Sequence, residues 1–367
     1  MTSIPASPRG RLEALARCGV TQPIAEPVPS DDAHFYATKG TLKLAYRVLR
    51  RRAEVMLSGQ EPWLVEHIDP AWRRAIWFHA EAPQIGDALM DLAPRSLLTD
   101  ARIAVDLIAP PPTAALFAGD RWFDQVTDDA ASIDAGRYDF AIVDSHSWKA
   151  LAAKRVRAPR LPWVSIHREY FAYDYHRGTF ATRRLTALLG TALDASAERS
   201  HARQKLAIGN EPLPGRESPP RVAIALGGVH AERRYRHWPT VARKLAQQGW
   251  TRFTLVGSDN ASSAAKEVRE ALQGDDVLDL VARTDLHGTQ RAIAASALAL
   301  CADGGLLHVA CTTKTPIIAL FDAEVDPAWR LPLDLDGVAL RARERDVSAI
   351  DADAIVAQAV KFLAVRN

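Results

Sequence analysis

The 367-residue chain has only three cysteines, Cys18, Cys301 and Cys311, and no CxxC pair. An odd number at wide spacing argues against a disulfide framework or a cysteine-rich zinc site and fits a reducing compartment. Cys301 and Cys311 sit inside apolar runs, as small core residues do. Charge of one sign is also lacking: 46 Lys and Arg stand against 44 Asp and Glu, a formal net of +2. No global basic field calls for nucleic acid, and no such partner is expected. No run approaches the ~18 apolar residues of a membrane span. The opening MTSIPASPRGRLEALARCGV lacks a continuous apolar core, so no secretory signal is read there and a cytoplasmic location is expected. Nor is there an internal repeat at a solenoid period.

What is present is ordinary for a soluble globular protein: 48% apolar and 25% charged residues. The length favours two domains. Residues 1–73 read as a partly helical N-terminal extension. The first 35 or so are mixed and Pro-rich, like an arm, with a short helix at 10–18. In KGTLKLAYRVLRRRAEVMLSG, Leu42, Ala45, Tyr46, Leu49, Ala53 and Met56 recur at helical spacing. Lys39, Lys43, Arg47, Arg50, Arg51 and Arg52 add six positive charges before Glu54. Such a helix either packs with a solvated basic face or lies on an anionic membrane surface.

From residue 74 the pattern becomes strand, helix, strand. AIWFHA, ARIAVDLIA, FDQVTD, YDFAIVD and PWVSIH are strand candidates separated by helical or loop segments, which predicts parallel pairing over 74–208. The stretch 209–220, GNEPLPGRESPP, reads as a linker. A second α/β domain follows over 221–350, with strands RVAIAL, TRFTLVG, VLDLV, ALALC and PIIALF and helices between them. Residues 351–367 predict a C-terminal helix.

Three constellations follow strands. In the first, ALALC runs into Asp303, Gly304 and Gly305 and then a short helix over 306–311. Free N–H groups at a helix start attract phosphate, and glycines let the backbone approach it closely. Asp303 is placed to cap that helix; His308 is either a donor to a diphosphate or a core histidine. In the second, LGGVHAERRYRHWP holds Gly227, Gly228, His230, Arg233, Arg234, Arg236 and His237, a set that binds an anion or forms a solvated basic loop. The third is APQIGDALM, where Asp87 either complements the helix dipole or serves as a general base.

SALALCADGGLLHVACTTKTPIIALF resembles the donor-site signature of the bacterial heptosyltransferases, glycosyltransferase family 9. There an apolar strand leads into Asn-Asp-[Ser/Thr]-Gly-Pro-Met-His, a small-residue helix and a Thr-Pro-apolar strand. Asp303, Gly305, His308, Ala310, Thr315, Pro316, Ala319, Leu320 and Phe321 match. RHWP (236–239) is similar to the family's Lys-[Arg/His]-Trp-Pro, Thr284 and Leu286 match a Lys/Arg-Thr-Ser-Leu segment, and IGDALMDLAP is similar to its N-terminal Gly-Asp motif.

The resemblance implies a GT-B architecture: α/β, with two Rossmann-like domains whose parallel sheets face a cleft. Here a largely helical extension would precede them, and the last helix would cross back to the first domain. It implies inverting, metal-independent transfer of a sugar from a nucleotide-sugar co-substrate, most naturally ADP-heptose. The acceptor would be a glycan or lipid-linked hydroxyl, in cell-surface glycan or lipopolysaccharide synthesis. Asp87 is then the base, and Arg236, Asp303, Gly304, Gly305 and His308 hold the diphosphate. Gly227, Gly228, His237 and Asp259 are further donor-site candidates, and peripheral membrane contact would run through Lys39–Arg52. The chain departs from the pattern at Gly304, where the family has a hydroxyl residue, and at Ala302, Leu306 and Leu307. A GT-B enzyme using another nucleotide-sugar, such as an epimerase, or a different acceptor such as a protein or small molecule, and a non-catalytic binding protein on the same fold remain open at this level.

Overall fold

The computed structural model describes residues 8–18, 40–80, 84–170, 176–208 and 212–364. Most of the expected N-terminal arm, together with Lys39, Ala82, Pro83 and the start of the Pro-rich stretch, lies outside the described residues. The chain divides into two compact units, Met1–Arg203 and Gln204–Asn367.

The first unit opens with helices α1 (Pro8–Cys18) and α2 (Thr41–Leu57). Strands β1 (Arg74–Phe78), β2 (Ala104–Ile108), β3 (Gln125–Thr127), β4 (Phe140–Val143) and β5 (Trp163–Ser165) form a parallel sheet ordered β3-β2-β1-β4-β5. Ile76, Trp77, Phe78, Ala141, Ile142 and Val143 are all inaccessible. Strands β1, β2, β4 and β5 are buried on both faces, which is why they read as largely apolar runs rather than alternating ones, while the edge strand β3 is only partly covered. Helices α3 (Ile85–Asp91) and α4 (Arg95–Asp100) connect β1 to β2, and α5 (Pro111–Phe117) connects β2 to β3. Helix α6 (Trp148–Arg157) connects β4 to β5, and α7 (Arg177–Leu188) and α8 (Ala195–Ala202) complete the unit.

The extension is no loose appendage where it is described. Leu44, Ala45 and Val48 of α2 pack with Ala16, Tyr170 and Phe180, and Val55 joins Phe78 and Trp163. Val65 donates its N–H to the Trp163 carbonyl at 2.9 Å, and Ile68 to Leu188 at 2.8 Å. The basic run is therefore not one solvated face. Arg51 is buried and donates to the Tyr170 carbonyl at 2.9 Å, while Arg52 pairs with Glu169 at 2.9 Å.

The second unit contains β6 (Val222–Ala225), α9 (Trp238–Gln247), β7 (Arg252–Val256), α10 (Ser262–Ala271), β8 (Asp276–Asp279) and α11 (Leu286–Ala294). It continues with β9 (Leu298–Ala302), α12 (Gly305–Cys311), β10 (Ile317–Phe321), β11 (Gly337–Arg341) and α13 (Ala352–Ala364). Its sheet is also parallel, ordered β11-β10-β9-β6-β7-β8. Strand β11 has no counterpart in the sequence reading. It is an edge strand, and four of its five residues are only partly buried, so it lacks the apolar run that marks the others. Cys301 and Cys311 are free and buried in the core beside Ile317 and Phe321.

Helix α13, expected to cross back, puts Ile355, Ala359 and Leu363 into the second unit's own core with Val241 and Leu245. The Pro-rich stretch expected as a linker is also tied there. Gln290 donates to the Leu206 carbonyl at 2.9 Å ahead of it, and Glu217 within it donates to Ala295 at 2.9 Å. The chain thus enters the second unit at Gln204, before the prolines begin.

Candidate active site

In an open parallel sheet, ligands bind beyond the carboxyl ends of the strands where the strand order reverses. In the second sheet that point lies between β6 and β9, and in the first between β1 and β4. The segments that follow β1, β6 and β9 carry most of the sequence-selected residues, and Asp259 follows β7.

After β6, Gly227 and Gly228 take φ values of 85° and 141°, in the left-handed region open to glycine. A Cβ at Gly227 would meet the Asn260 Oδ1 at 2.4 Å. Asn260 in turn donates to the Gly228 carbonyl at 3.1 Å, so the loop after β7, with exposed Asp259, is joined to the glycine loop. Arg234 donates to the Gly228 carbonyl at 2.7 Å and braces the same turn. Gly227→Ala is therefore expected to displace this junction and weaken binding of a nucleotide diphosphate, with the melting temperature also lowered. Titration of the variant with ADP checks this; wild-type affinity would detach Gly227 from the site.

After β9, Asp303 is followed by Gly304, the capping position of α12, whose carbonyl accepts from Leu307 at 3.1 Å. Asp303 is nearly inaccessible and is engaged by Arg233, at 3.0 Å. Arg233 also approaches Asp322, beyond β10, at 3.6 Å. One guanidinium thus ties the loops after β6, β9 and β10 together. Sequence reasoning singled out its neighbour Arg236 instead. Arg236 is 67% exposed and pairs with Asp346 at 2.7 Å. The signal that could separate them is burial, which a loop sequence does not display.

His308 is buried, with Nδ1 at 3.0 Å from the Gln204 amide, and its backbone belongs to the helix that packs under the loop. His237 precedes α9 and is exposed, with its ring edge-on to Tyr235. Gly305 is exposed, and a Cβ built on Gly304 would meet nothing within 4 Å.

In the first unit, Asp87 lies half-buried in the first turn of α3. Among the described residues its carboxylate has no hydrogen-bond or ion-pair partner. One turn on, Asp91 is buried and clamped. It accepts from Arg177 Nε at 2.8 Å and from a second Arg177 nitrogen, and lies 3.2 Å from His167 Nε2. Burial opposes its ionisation, but Arg177 and His167 hold the carboxyl far below the usual carboxylate range. The helix that presents Asp87 is thus anchored to α7 and to the end of β5.

The root of the same loop is held by a second buried pair that sequence reading did not find. Asp144, just beyond β4, lies 3.0 Å from His79 Nδ1 and accepts the Ala80 N–H at 3.0 Å and Trp77 Nε1 at 3.3 Å. Burial lowers the imidazole pKa, yet the Asp144 charge outweighs it and the His79 value is raised. The visible signal was an acid directly ending the apolar run FAIV. Among the described residues no cluster of three or more His, Cys, Asp or Glu is arranged to hold a metal.

The two-sheet architecture has solved counterparts. The chain is similar to a glycosyl transferase family 9 protein from Veillonella parvula, at 13% identity and TM-score 0.62, covering 82% of this chain and all of the other. It is similar to the E. coli ADP-heptose lps heptosyltransferase II at 18% identity and TM-score 0.57, over 80% and 99%. E. coli heptosyltransferase WaaC with ADP gives 16% and 0.55, over 80% and 98%. At these identities the likeness concerns the fold, that of the GT-B enzymes. No curated protein sequence matches. The family assignment comes from the sequence itself: residues 130–346, more than half of the chain, match the family model described as glycosyltransferase family 9 (heptosyltransferase). That stretch contains the loops after β4, β6, β7, β9 and β10, so the protein is a glycosyltransferase that belongs to family 9.

Proposed function

We propose that the enzyme transfers heptose from ADP-heptose to a hydroxyl of a glycan or lipid-linked acceptor, with inversion and without a metal, in cell-surface glycan or lipopolysaccharide synthesis. The observation that carries this reading is the placement of two glycine loops on either side of the β6/β9 reversal, with an accessible arginine on the first of them. Two of the similar E. coli proteins are an ADP-heptose lps heptosyltransferase and a heptosyltransferase with ADP, which favours that donor class.

The diphosphate lies against Gly227, Gly228, Gly304 and Gly305, whose backbone offers close approach. Arg233 already faces two carboxylates, so its charge is matched and it acts as a brace. Arg236 is different. Its surface pair with Asp346 is worth about 0–1 kcal/mol, so it exchanges readily for a phosphate. His308 stays a support of α12. Asp259, exposed beside the Asn260 that joins the glycine loop, is the candidate for the base or ribose hydroxyls.

Asp87 takes the acceptor proton as the hydroxyl attacks the anomeric carbon. The sugar bond to the diphosphate breaks, and Arg236 and the loop N–H groups stabilise the charge that develops on the leaving group. A cytoplasmic enzyme acting on a lipid-linked acceptor works at the inner face of the membrane. A thermal-shift panel of ADP, UDP, GDP and CDP tests the donor. ADP is expected to raise the melting temperature most, by linkage of about 2.7 kcal/mol at a hundredfold excess over Kd. A larger shift with UDP would replace the ADP donor, and no shift with any at millimolar concentration would remove the donor site.

A further inference from the structure

Helix α2 has two apolar faces. With about 100° between successive residues, Leu44, Val48, Arg51 and Val55 form the side buried in the first unit. Leu42, Tyr46, Leu49, Ala53, Met56 and Leu57 fall in an arc of about 100° on the opposite side. The five large residues of that arc are between 52% and 77% exposed. They are half of the large exposed apolar side chains among the described residues, gathered on one helix. Scattered surface leucines need no explanation; a continuous stripe does.

Cations line one edge of the stripe. Lys43 and Arg50 lie there side by side, Arg50 bridging to Glu54 at 3.2 Å. Glu54 also accepts the backbone N–H of Trp148 at 2.8 Å, which sets the exposed Trp148 indole beside that flank. Lys149 follows it, and Arg155 stacks on the indole at 4.0 Å. An apolar stripe with a tyrosine, a neighbouring tryptophan and a basic edge has the make-up of a helix lying in a lipid headgroup layer. An anionic surface complements the cations along that edge.

We infer that the outer face of α2, with Trp148 beside it, docks the enzyme onto an anionic lipid surface. The contact is made by the apolar stripe with Lys43 and Arg50; Arg51 and Arg52 are committed to the protein and take no part. This inference does not depend on which nucleotide-sugar is the donor.

The test is cosedimentation of the full chain with vesicles of phosphatidylethanolamine and phosphatidylglycerol, and separately of phosphatidylcholine alone. Binding is expected to the first, to be weak on the second, and to fall as salt is added. The double variant Leu49→Glu, Met56→Glu is expected to lose at least about tenfold in binding. Lys43→Glu with Arg50→Glu should remove the preference for anionic lipid. All four side chains are exposed, so an unchanged melting temperature and ADP response verify folding and leave the donor site judged separately. Wild-type protein that ignores anionic vesicles, or variants that bind as well as wild type, would overturn the proposal. So would a wild-type dimer that the Leu49→Glu, Met56→Glu variant splits into monomers, because the stripe would then be covered by a second copy.

Discussion

Asp87→Asn is expected to lower kcat by about 100- to 10,000-fold, the range of a lost general base, while ADP binds as to wild type. The two readouts separate because Asp87 belongs to the first unit and the donor loops to the second. Asparagine keeps the size and removes only the proton acceptor. Asp87 is half-buried and, among the described residues, without a partner, so the change breaks no contact and stability should move little. Single-turnover kinetics with saturating donor gives the rate, and ADP titration gives the binding. Turnover within about threefold of wild type would falsify the assignment of Asp87 as base.

The largest stability loss is expected at Asp91→Asn. Arg177 and His167 would keep their burial and lose the charge that offsets it. Breaking such a buried pair typically costs about 3–5 kcal/mol, because the remaining charge is left uncompensated. Urea unfolding at neutral pH measures the loss. The pH dependence supplies an independent check. The Asp91 carboxyl is depressed in the folded state, so its contribution is present above the unfolded carboxylate pKa of about 3.9 and lost as pH falls towards the folded value. The gap between wild type and variant should therefore narrow on acidification below about pH 4. His79 has the opposite sign. Its value is raised, so its contribution is present below about pH 6.5 and lost as pH rises through the folded pKa. A gap at Asp91→Asn that is constant from pH 3 to pH 7 would show the pair to be uncoupled from folding.

The strands and their parallel pairing, though not their order, were legible where side chains are buried on both faces. RAIWF, FAIV, VAIA and IIALF are continuous apolar runs, and their crossovers dictate parallel pairing. GVALR was not legible, because a half-exposed edge strand has neither the run nor a clean alternation. The glycine loops were visible because glycine marks backbone geometry directly. The partners of charged groups were not. Arg233 and Arg236 are three residues apart in one basic stretch, and only the fold sends the first to Asp303 and leaves the second on the surface. In the same way Asp144 and His79 are 65 positions apart, and the β1–β4 pairing brings them together. The basic run after residue 39 showed its charge, but which arginines the first unit would absorb depends on Tyr170 and Glu169.

The two glycine loops differ in how freely they can change. At Gly227 a side chain would displace the Asn260 amide and crowd Ala261, and the backbone, with φ at 85°, resists as well. At Gly304 there is room, and only the backbone, with φ at 156°, resists. That resistance is of order 1–3 kcal/mol, against a typical domain stability of about 5–15 kcal/mol. A mutation at Gly304 can therefore reach a foldable protein while altering what the loop offers a ligand. On the proposed reading of the loop, Gly304 is a position through which donor preference can drift, or be engineered, without rebuilding the core.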